Sequence, residues 1–461
     1  MDLTKRVEVK EQPAEQRIHN FDEICYGYNN DEAISEASRC LNCKNVPCKS
    51  GCPVGVKIPE FIAEIKKGDT KRAYEIISED SSLPAVCGRV CPQERQCEGK
   101  CVRGIKGEAI AIGKLERYVA DCALTDETTS EISINKNGKK VAIIGCGPSG
   151  LACAGDLAKL GYSVTIFEAL HEAGGVLTYG IPEFRLPKER VVKKEIDKLK
   201  SLGVEILTDI VVGKTVTIDE LIEKEDYKAV FIGTGAGLPK FMGIKGENAN
   251  GVFSANEFLT RNNLMKAYED DYDTPIICGK KVAVVGGGNV AMDAARTAVR
   301  FGSEVHIIYR RSEEELPARL EEIEHAKQEG IKFDFLTNPT EILTDASENV
   351  TGIKCIRMKL GEPDDSGRRR PEAIEGSEFV IAVDTVIMAL GTSPNPLIKN
   401  STKGLTSNKH GCIIVDDSGK TERDGIYAGG DAVTGAATVI LAMGAGKKAA
   451  KSIDEYLKNI V

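Results

Sequence analysis

The hydrophobic pattern divides the chain into two parts. From residue 1 to about 125, apolar residues recur at helical spacing in short segments such as IPEFIAEIKKGDTKRAYEII, and cysteine-bearing loops separate these segments. The polar run TDETTSEISINKNGKK then indicates a linker. It ends where VAIIG begins an apolar run that is typical of a buried parallel strand. The pattern predicts a helical N-terminal domain followed by an α/β region.

An internal repeat organises the α/β region. KKVAIIGCGPSGLACAGDLAKLGYSVTIFE, which starts at Lys139, aligns without a gap with KKVAVVGGGNVAMDAARTAVRFGSEVHIIY, which starts at Lys280. Each copy predicts a strand, a glycine turn, a helix and a second strand, which is the βαβ unit of a dinucleotide-binding fold. We therefore expect the chain to bind two nucleotides.

The first copy carries the motif GxGxxG between its strand and its helix, at Gly145, Gly147 and Gly150. The first glycine permits a tight turn, the second lets a pyrophosphate approach the backbone, and the third allows close packing of the helix. Glu168 closes the second strand, where a carboxylate accepts hydrogen bonds from a ribose diol. An ordinary glycine turn is the alternative, and the repeat and the acid argue against it.

The second copy has GxGxxA at Gly286, Gly288 and Ala291. Tyr309 takes the position of the acid, and Arg310 and Arg311 follow it. Two guanidinium groups without a carboxylate suit a 2′-phosphate, so NADPH is favoured over NADH. The alternative interpretation is that both arginines belong to a solvated strand end.

Composition excludes several classes of protein. The net charge of −9 arises from 61 basic and 70 acidic residues without a basic stripe, which argues against a nucleic-acid partner. The first thirty residues contain no signal-peptide core, and no stretch approaches the roughly eighteen consecutive apolar residues of a membrane span. We expect a cytoplasmic protein without a membrane span.

Cysteine spacing predicts metal chemistry in the N-terminal domain. Of fifteen cysteines, eight lie between Cys40 and Cys101, in the patterns Cx2Cx4Cx3CP and Cx3CPx4Cx3C. Short gaps and Cys-Pro pairs are typical of ferredoxin-type iron–sulfur sites. Zinc is the rival, but it usually takes paired CxxC motifs or histidines, and this segment has one CxxC and no His. The pattern favours two [4Fe-4S] clusters over zinc.

The late motif GIYAGGDA, residues 425–432, adds a family resemblance. With the two glycine turns it resembles the flavoprotein disulfide reductases that bind two dinucleotides. The resemblance implies that the first nucleotide is FAD, that Asp431 contacts it, and that the helix starting near Ala437 and Thr438 faces the flavin. GTGAG (233–237) and ALGTSPN (389–395) resemble the crossings between the two domains. No close cysteine pair follows Cys101, so electrons must leave the flavin by another route; Cys146 and Cys153 are interpreted as packing residues.

RCLNCKNVPCKSGCPV, CGRVCPQERQCEGKC and IAIGKLERYVAD carry a closer resemblance. They are similar to the small subunit of glutamate synthase, the large subunit of NADH-dependent ferredoxin:NADP oxidoreductase and the N-terminal part of dihydropyrimidine dehydrogenase. The resemblance implies that one cluster is held by Cys40, Cys43, Cys48 and Cys101. It implies that the other is held by Cys52, Cys91, Cys97 and Glu116. Cys87 would then be free, and it is the alternative to Glu116 as the eighth ligand.

The expected fold class is therefore α/β, with an N-terminal α-helical double-cluster domain and two Rossmann-like domains of the disulfide-reductase type. We expect the cluster domain and linker at 1–138, the FAD-binding domain at 139–250 and 389–461, and the NADPH-binding domain at 251–388. The residues expected to bind the two nucleotides are Gly145, Gly147, Pro148, Ser149, Gly150, Glu168, Gly175, Arg185, Gly235, Gly430, Asp431, Ala437, Thr438, Gly286, Gly288, Asn289, Val290, Ala291, Asp293, Arg310, Arg311 and Gly391.

Three functions follow from these expectations. The first is a subunit of an electron-bifurcating ferredoxin:NADP oxidoreductase, the second is the NADPH-oxidising small subunit of glutamate synthase, and the third is a catalytically silent electron-transfer or assembly subunit. The first two require a second redox subunit, and ferredoxin is a further candidate partner. Both glycine turns argue against the third. No catalytic acid, base or nucleophile is expected, because hydride transfer between nucleotides requires none.

Overall fold

The structure is a computed structural model that describes residues 3–126, 134–363 and 367–460. The predicted linker lies partly outside these residues. The N-terminal region is helical, as predicted, with one short antiparallel pair, Lys10–Glu11 with Cys25–Gly27. Its α-helices are Ala14–Arg17, Asn30–Ser38, Pro47–Ser50, Ile58–Lys67, Thr70–Asp80, Pro84–Val90 and Ile112–Thr125, and its 3₁₀ helices are Gln93–Arg95, Glu98–Lys100 and Val102–Ile105.

Local sequence explains where these helices begin and which face they bury. Asn29 caps the helix Asn30–Ser38, because its side chain accepts the Glu32 N–H while the Glu32 carboxylate accepts the Asn29 N–H, both at 2.9 Å. In Ile58–Lys67, the residues Ile58, Phe61, Ile62 and Ile65 follow helical spacing and are all buried. This buried face packs into a core that the N-terminal region shares with the first dinucleotide fold.

The first parallel sheet contains the first glycine turn. Its strand order is Ile426–Ala428, Tyr227–Ile232, Lys140–Ile144, Ser163–Phe167 and Glu205–Leu207. The central strands are buried apolar runs, as parallel strands covered on both faces must be. Its α-helices are Pro148–Lys159, Val176–Tyr179, Lys194–Ser201, Ile218–Glu223, Leu397–Ser401, Asp431–Thr434 and Val439–Lys458, and a π-helix spans Lys188–Lys193.

The second parallel sheet repeats this arrangement, with the order Lys332–Phe335, Glu304–Tyr309, Lys281–Val285, Thr385–Met388 and Val252–Ser254. Its helices are Ala255–Asn263, Asn289–Arg300 and Leu320–Gln328, with a 3₁₀ turn at Glu313–Glu315. An antiparallel sheet is inserted before Thr385, formed by Thr337–Thr344, Val350–Pro363, Arg369–Ala373 and Phe379–Ile381. The predicted repeat therefore forms two copies of one fold.

The two crossings pair with each other. Leu238–Pro239 and Thr392–Ser393 form a two-stranded antiparallel ribbon, and the Lys240 N–H donates to the Gly391 carbonyl at 3.1 Å. The ribbon joins the two dinucleotide folds and brings the GTGAG and ALGTSPN motifs side by side.

Candidate cofactor sites

The three glycines of the first glycine turn differ in their surroundings. A Cβ atom on Gly145, whose φ is +100°, would lie 2.6 Å from the Gly233 carbonyl oxygen, and one on Gly150 would overlap the Gly145 carbonyl. A Cβ on Gly147 would instead enter open space. Two glycines are thus required by packing, while the middle one leaves room for a ligand at the N-terminus of the helix Pro148–Lys159. The turn fits a dinucleotide pyrophosphate.

Glu168 is buried beside this turn. Its carboxylate accepts the Cys146 N–H at 2.7 Å and the Leu170 N–H at 2.9 Å. Each carboxylate oxygen therefore accepts one backbone N–H and has a further lone pair available to a ribose hydroxyl. Its predicted contact with a ribose remains a prediction.

Other predicted flavin residues surround the same turn. A Cβ on Gly175 (φ +54°) would lie 2.9 Å from the Gly147 Cα, and one on Gly430 (φ +66°) would lie 2.8 Å from the Ser149 hydroxyl. Pro148 begins the helix, and Gly235 and Gly391 have positive φ values with open space where a Cβ would be. The structure therefore brings Gly175 and Gly430 against the first glycine turn from two other segments of the chain.

Asp431 and Thr438 lie where the chain enters the last long helix. The Asp431 carboxylate accepts the Ala437 N–H at 3.2 Å, and burial raises its pKa to about 6. The Thr438 hydroxyl caps the helix Val439–Lys458 by accepting the Leu441 N–H at 3.4 Å. The turn before this helix is thus ordered by the aspartate predicted to contact the flavin.

The second glycine turn has the same design. A Cβ on Gly286 (φ +143°) would overlap the Ala389 carbonyl, whereas one on Gly288 would enter open space. Ala291 is fully buried against the sheet, and Val290 is exposed. The Asn289 side chain accepts the Arg319 N–H at 2.9 Å. This turn also fits a dinucleotide pyrophosphate.

The two arginines predicted to bind the 2′-phosphate differ in exposure. Arg310 is exposed, whereas Arg311 is buried and donates from Nε to the Arg369 carbonyl at 2.8 Å. Sequence reasoning missed Arg369, whose guanidinium contacts Glu315 at 2.6 Å and Ser312 at 3.4 Å. No local motif marks Arg369, because it reaches this site from the inserted antiparallel sheet.

Arg185 and Asp293, both predicted to bind a nucleotide, contact each other. The Arg185 Nη1 atom donates to both Asp293 oxygens at 2.7 Å, and its Nε lies 2.8 Å from Glu322 Oε1. Both side chains are buried. They form an ion pair between the two dinucleotide folds, and their binding of a cofactor stays a prediction.

The first group of cysteines surrounds one cavity. About 370 Å³ of empty space, part of it open to solvent, is lined mainly by apolar side chains, by Arg103 and by the four cysteines Cys40, Cys43, Cys48 and Cys101. Burial raises the pKa of Cys48 to about 11, so its thiolate form is favoured by a nearby cation. Four convergent thiols in an apolar cavity fit a [4Fe-4S] cluster.

The second group is more deeply buried. Burial, together with the Glu98 and Glu116 carboxylates, raises the pKa of Cys97 well above its usual value, and Glu116 also contributes to raising those of Cys52 and Cys91. Burial, with a smaller contribution from Glu195, raises the pKa of Glu116 itself to about 8. Burying the ionised forms of these thiols and of this carboxyl group together is costly without a cation, so the ionised donor set fits a metal cluster.

Cys87 lies beside this group, where its interaction with Cys91 and its burial raise the pKa of its thiol well above the usual value. Its Sγ atom is 3.5 Å from the Met443 Sδ atom, and the Ser81 hydroxyl donates to it at 3.9 Å. Glu116 is buried, although a glutamate on a helix is usually exposed to solvent. The arrangement is compatible with the ligand set that contains Glu116, which remains a prediction.

The fold and these sites define a two-dinucleotide oxidoreductase with an N-terminal iron–sulfur domain. Residues 139–446 match the family described as pyridine nucleotide-disulphide oxidoreductase, and residues 17–128 match dihydropyrimidine dehydrogenase domain II, 4Fe-4S cluster. The chain therefore belongs to the pyridine nucleotide-disulphide oxidoreductase family, among members with a 4Fe-4S domain. The predicted fold class and the predicted NADPH-, FAD- and 4Fe-4S-dependent oxidoreductase class are confirmed.

Curated relatives cover nearly the whole chain. The glutamate synthase [NADPH] small chain of Escherichia coli is 38% identical over 98% of both chains. The putative oxidoreductase AegA of E. coli is 40% identical over 96% of this chain and 68% of its own length. The NADP(+)-dependent formate dehydrogenase subunit beta of Moorella thermoacetica is 43% identical over 89% of this chain and 60% of its own.

Solved structures share the dinucleotide fold. FprA of Mycobacterium tuberculosis in complex with NADPH has a TM-score of 0.58 at 20% identity, covering 70% of this chain and 85% of that one. Within the residues that the structure describes, every helix is too short or too polar to cross a membrane.

Proposed function

We propose that this chain is the NADPH-linked electron-transfer subunit of a larger redox enzyme, of the ferredoxin:NADP oxidoreductase type. Bound FAD would exchange a hydride with NADPH and pass its electrons singly to the 4Fe-4S clusters. In this proposal, residues 139–250 with 389–461 bind FAD, residues 251–388 bind NADPH, and residues 1–138 hold the clusters.

One observation carries the proposal. The helix Val439–Lys458 starts at Thr438, in the proposed flavin site, and extends to the second cysteine group. There Met443 contacts Cys87, and a Cβ on Gly444 would lie 3.1 Å from the carbonyl of Pro53, the residue after Cys52. A single rigid element thus connects the flavin site to the proposed second cluster, which suits electron transfer between them.

A surface beside the first cysteine cavity suits a partner protein. Leu3, Leu41, Val102 and Ile105 are exposed there and form what we name the Leu41 surface. Leu41, Val102 and Arg103 line both the cysteine cavity and a neighbouring surface cavity of about 590 Å³, part of which is open solvent. One layer of side chains therefore separates this surface from the proposed first cluster.

The charge around the Leu41 surface favours an acidic partner. The segments 40–51 and 99–107 contain no Asp or Glu and carry Lys44, Lys49, Lys100, Arg103 and Lys106. In the described part of the chain, none of these five forms an ion pair with an acidic residue. An apolar centre with a basic rim complements an acidic electron-transfer protein, because opposite charges steer association and the apolar centre supplies contact area.

An anaerobic titration tests the proposed function. NADPH should bleach the flavin absorption of the purified protein and generate paramagnetic signals from reduced clusters. NADPH oxidation coupled to reduction of an acidic ferredoxin would support the proposal. Ile105→Asp should slow ferredoxin reduction without changing reduction of a small dye, whereas Ile277→Asp, at another exposed isoleucine, should change neither. Absence of any NADPH-reducible chromophore would refute the proposal.

A second candidate is the small subunit of a glutamate synthase, which the 38% identity over the full length of such a chain favours. In that case NADPH-dependent formation of glutamate from glutamine and 2-oxoglutarate should appear when a glutamate synthase large subunit is added. Ferredoxin reduction without glutamate formation selects the first candidate, and the opposite result selects the second.

A further inference from the structure

The loop between Cys91 and Cys97 is hydrogen-bonded to the second dinucleotide fold. The Arg95 guanidinium donates to the carbonyls of Leu316, Pro317 and Ala318 at 3.2 to 3.3 Å. The adjacent Glu94 carboxylate accepts the Leu320 N–H at 3.4 Å. The loop between Cys91 and Cys97, which we name the cysteine loop, is bounded by two proposed cluster ligands. It holds the backbone of residues 316–321, which we name the 316–321 segment.

Arg319 extends this contact into the protein interior. It is buried, and its guanidinium donates to the Arg89 carbonyl at 2.8 Å and to the Gln93 side chain at 3.1 Å. Gln93 lies between Cys91 and Cys97, and Arg89 lies two residues before Cys91. Because burying a guanidinium without partners is costly, these hydrogen bonds fix the segment against the cysteine loop.

The same segment packs on the second glycine turn. The Arg319 N–H donates to the Asn289 side chain at 2.9 Å, and Asn289 is the first residue of the helix that follows the turn. A Cβ on Gly287 would lie 2.7 Å from the Leu316 Cδ2 atom, so Leu316 covers the middle of the turn. The 316–321 segment therefore contacts both the cysteine loop and the proposed NADPH site.

A second contact connects the proposed second cluster to the 316–321 segment. Lys114 forms an ion pair with Glu321 at 2.6 Å, and Lys114 is on the helix that carries Glu116. Glu321 also pairs with Arg319 at 2.8 Å. Two of the three parts of the chain that supply the proposed second cluster thus reach the same segment.

We propose that the 316–321 segment couples the second cluster site to the NADPH site, with Arg95 and Arg319 as positioning residues. The proposal rests on the proposed function for the identity of the two ligands. Cluster binding fixes Cys91 and Cys97, and the loop between them then holds the segment that orients Asn289 and covers the glycine turn. Coupling between two binding sites is reciprocal, so a nucleotide must stabilise the cluster by the factor by which the cluster favours the nucleotide.

The rate of iron release tests the coupling from the cluster side, and the Kd for NADP+ tests it from the nucleotide side, without measuring turnover. The oxidised protein, with both clusters assembled, is exposed anaerobically to an iron chelator with and without saturating NADP+. NADP+ should slow release from one of the two clusters by about fivefold, the lower end of the usual range for coupled sites. In Arg95→Ala the protection should disappear and the Kd for NADP+ should rise about fivefold, while Arg95→Lys should retain part of both effects.

Arg261→Ala is the matched control. Arg261 also donates to a backbone carbonyl of the second dinucleotide fold, that of Pro275 at 3.1 Å, without contacting the cysteine loop. It should keep the wild-type Kd and protection. The coupling is wrong if both clusters assemble and NADP+ binds but iron release is the same with and without it, or if Arg261→Ala matches Arg95→Ala. A protein that binds neither iron nor NADP+ would overturn the proposed function as well.

Discussion

The Cys87 Sγ atom lies 3.5 Å from the Met443 Sδ atom, across the boundary between the cysteine domain and the last long helix. Cys87 is on the helix Pro84–Val90, and Met443 is on Val439–Lys458. The Ser81 hydroxyl approaches the same sulfur at 3.9 Å. Met443 and Ser81 are uncharged, whereas Cys91 and Glu116, two proposed ligands of the second cluster, also act on this thiol and contribute to raising its pKa. Cys87 and Glu116 are therefore alternative eighth ligands of the second cluster.

Iron content should therefore distinguish Cys87 from Glu116. Cys87→Ala is expected to retain the full iron content, whereas Glu116→Ala should lose about half of it, because one of two four-iron clusters loses a ligand. Glu116→Cys, which supplies a thiolate at the same position, should restore iron binding at least in part. Iron analysis and paramagnetic spectra of the reduced proteins measure the effect. Loss of iron in Cys87→Ala with retention in Glu116→Ala would reverse the assignment.

The first glycine turn predicts opposite outcomes for two alanine substitutions. Gly147→Ala adds a methyl group in open space, so the stability of the apoprotein should not change. Its affinity for FAD should fall by roughly tenfold or more, because the methyl group occupies the proposed pyrophosphate position. Gly150→Ala places its methyl group on the Gly145 carbonyl and should destabilise the apoprotein by about 1 to 3 kcal/mol. Flavin retention and thermal unfolding separate the two effects. Equal behaviour of the variants would contradict the proposed pyrophosphate position.

Arg310 and Arg311 should also behave differently. Arg310→Ala should raise the Kd for NADPH about tenfold and leave that for NADH unchanged, because an exposed guanidinium is free to pair with a 2′-phosphate. Arg311→Ala should also lower stability, since it removes the hydrogen bond to the Arg369 carbonyl. Lys332→Ala, at an exposed cation on the edge strand of the same sheet, serves as the control. An equal loss for both nucleotides would remove the argument for 2′-phosphate recognition.

Local patterns predicted the elements that carry the proposed sites. The gapless repeat that starts at Lys139 and at Lys280 predicted two folds, each with a parallel sheet and a glycine turn, because strand burial and glycine spacing are local properties of the sequence. Cysteine spacing predicted two groups but could not assign their members. Cys101 joins Cys40 only through the packing of the 3₁₀ turns, which has no signature in sequence.

Contacts between domains could not be predicted. Arg185 is expected from the sequence to bind a nucleotide, but its ion pair with Asp293, 108 residues away, has no signature in the sequence. No sequence motif marks Arg95 or Arg319, since each resembles an ordinary surface arginine in its own segment. Their partners are backbone carbonyls and side chains brought near by tertiary packing, and such partners have no fixed spacing along the chain.

Glu329 gives a prediction for pH. Its carboxylate is fully buried and contacts Arg17 at 2.9 Å, Arg296 at 3.0 Å and Arg300 at 2.9 Å. Although burial alone would raise its pKa, Arg296 and Arg300 lower the pKa to about 2 from the usual 4.5. A lowered carboxylate pKa contributes stability above the unfolded-state value, and this contribution is lost as the pH falls from about 4.5 towards 2.

Glu329→Gln should therefore destabilise the protein by about 3 to 5 kcal/mol at pH 7, because three buried guanidinium groups lose their shared partner. The difference from wild type should shrink below about pH 4.5, where the Glu329 carboxylate of the unfolded wild-type chain begins to be protonated while that of the folded protein stays charged down to about pH 2. Urea unfolding midpoints at several pH values measure it. Glu304→Gln, which removes an exposed ion pair with Lys332, should cost no more than about 1 kcal/mol. A Glu329→Gln deficit that stays constant down to pH 3 would show that the carboxylate charge does not hold this network together.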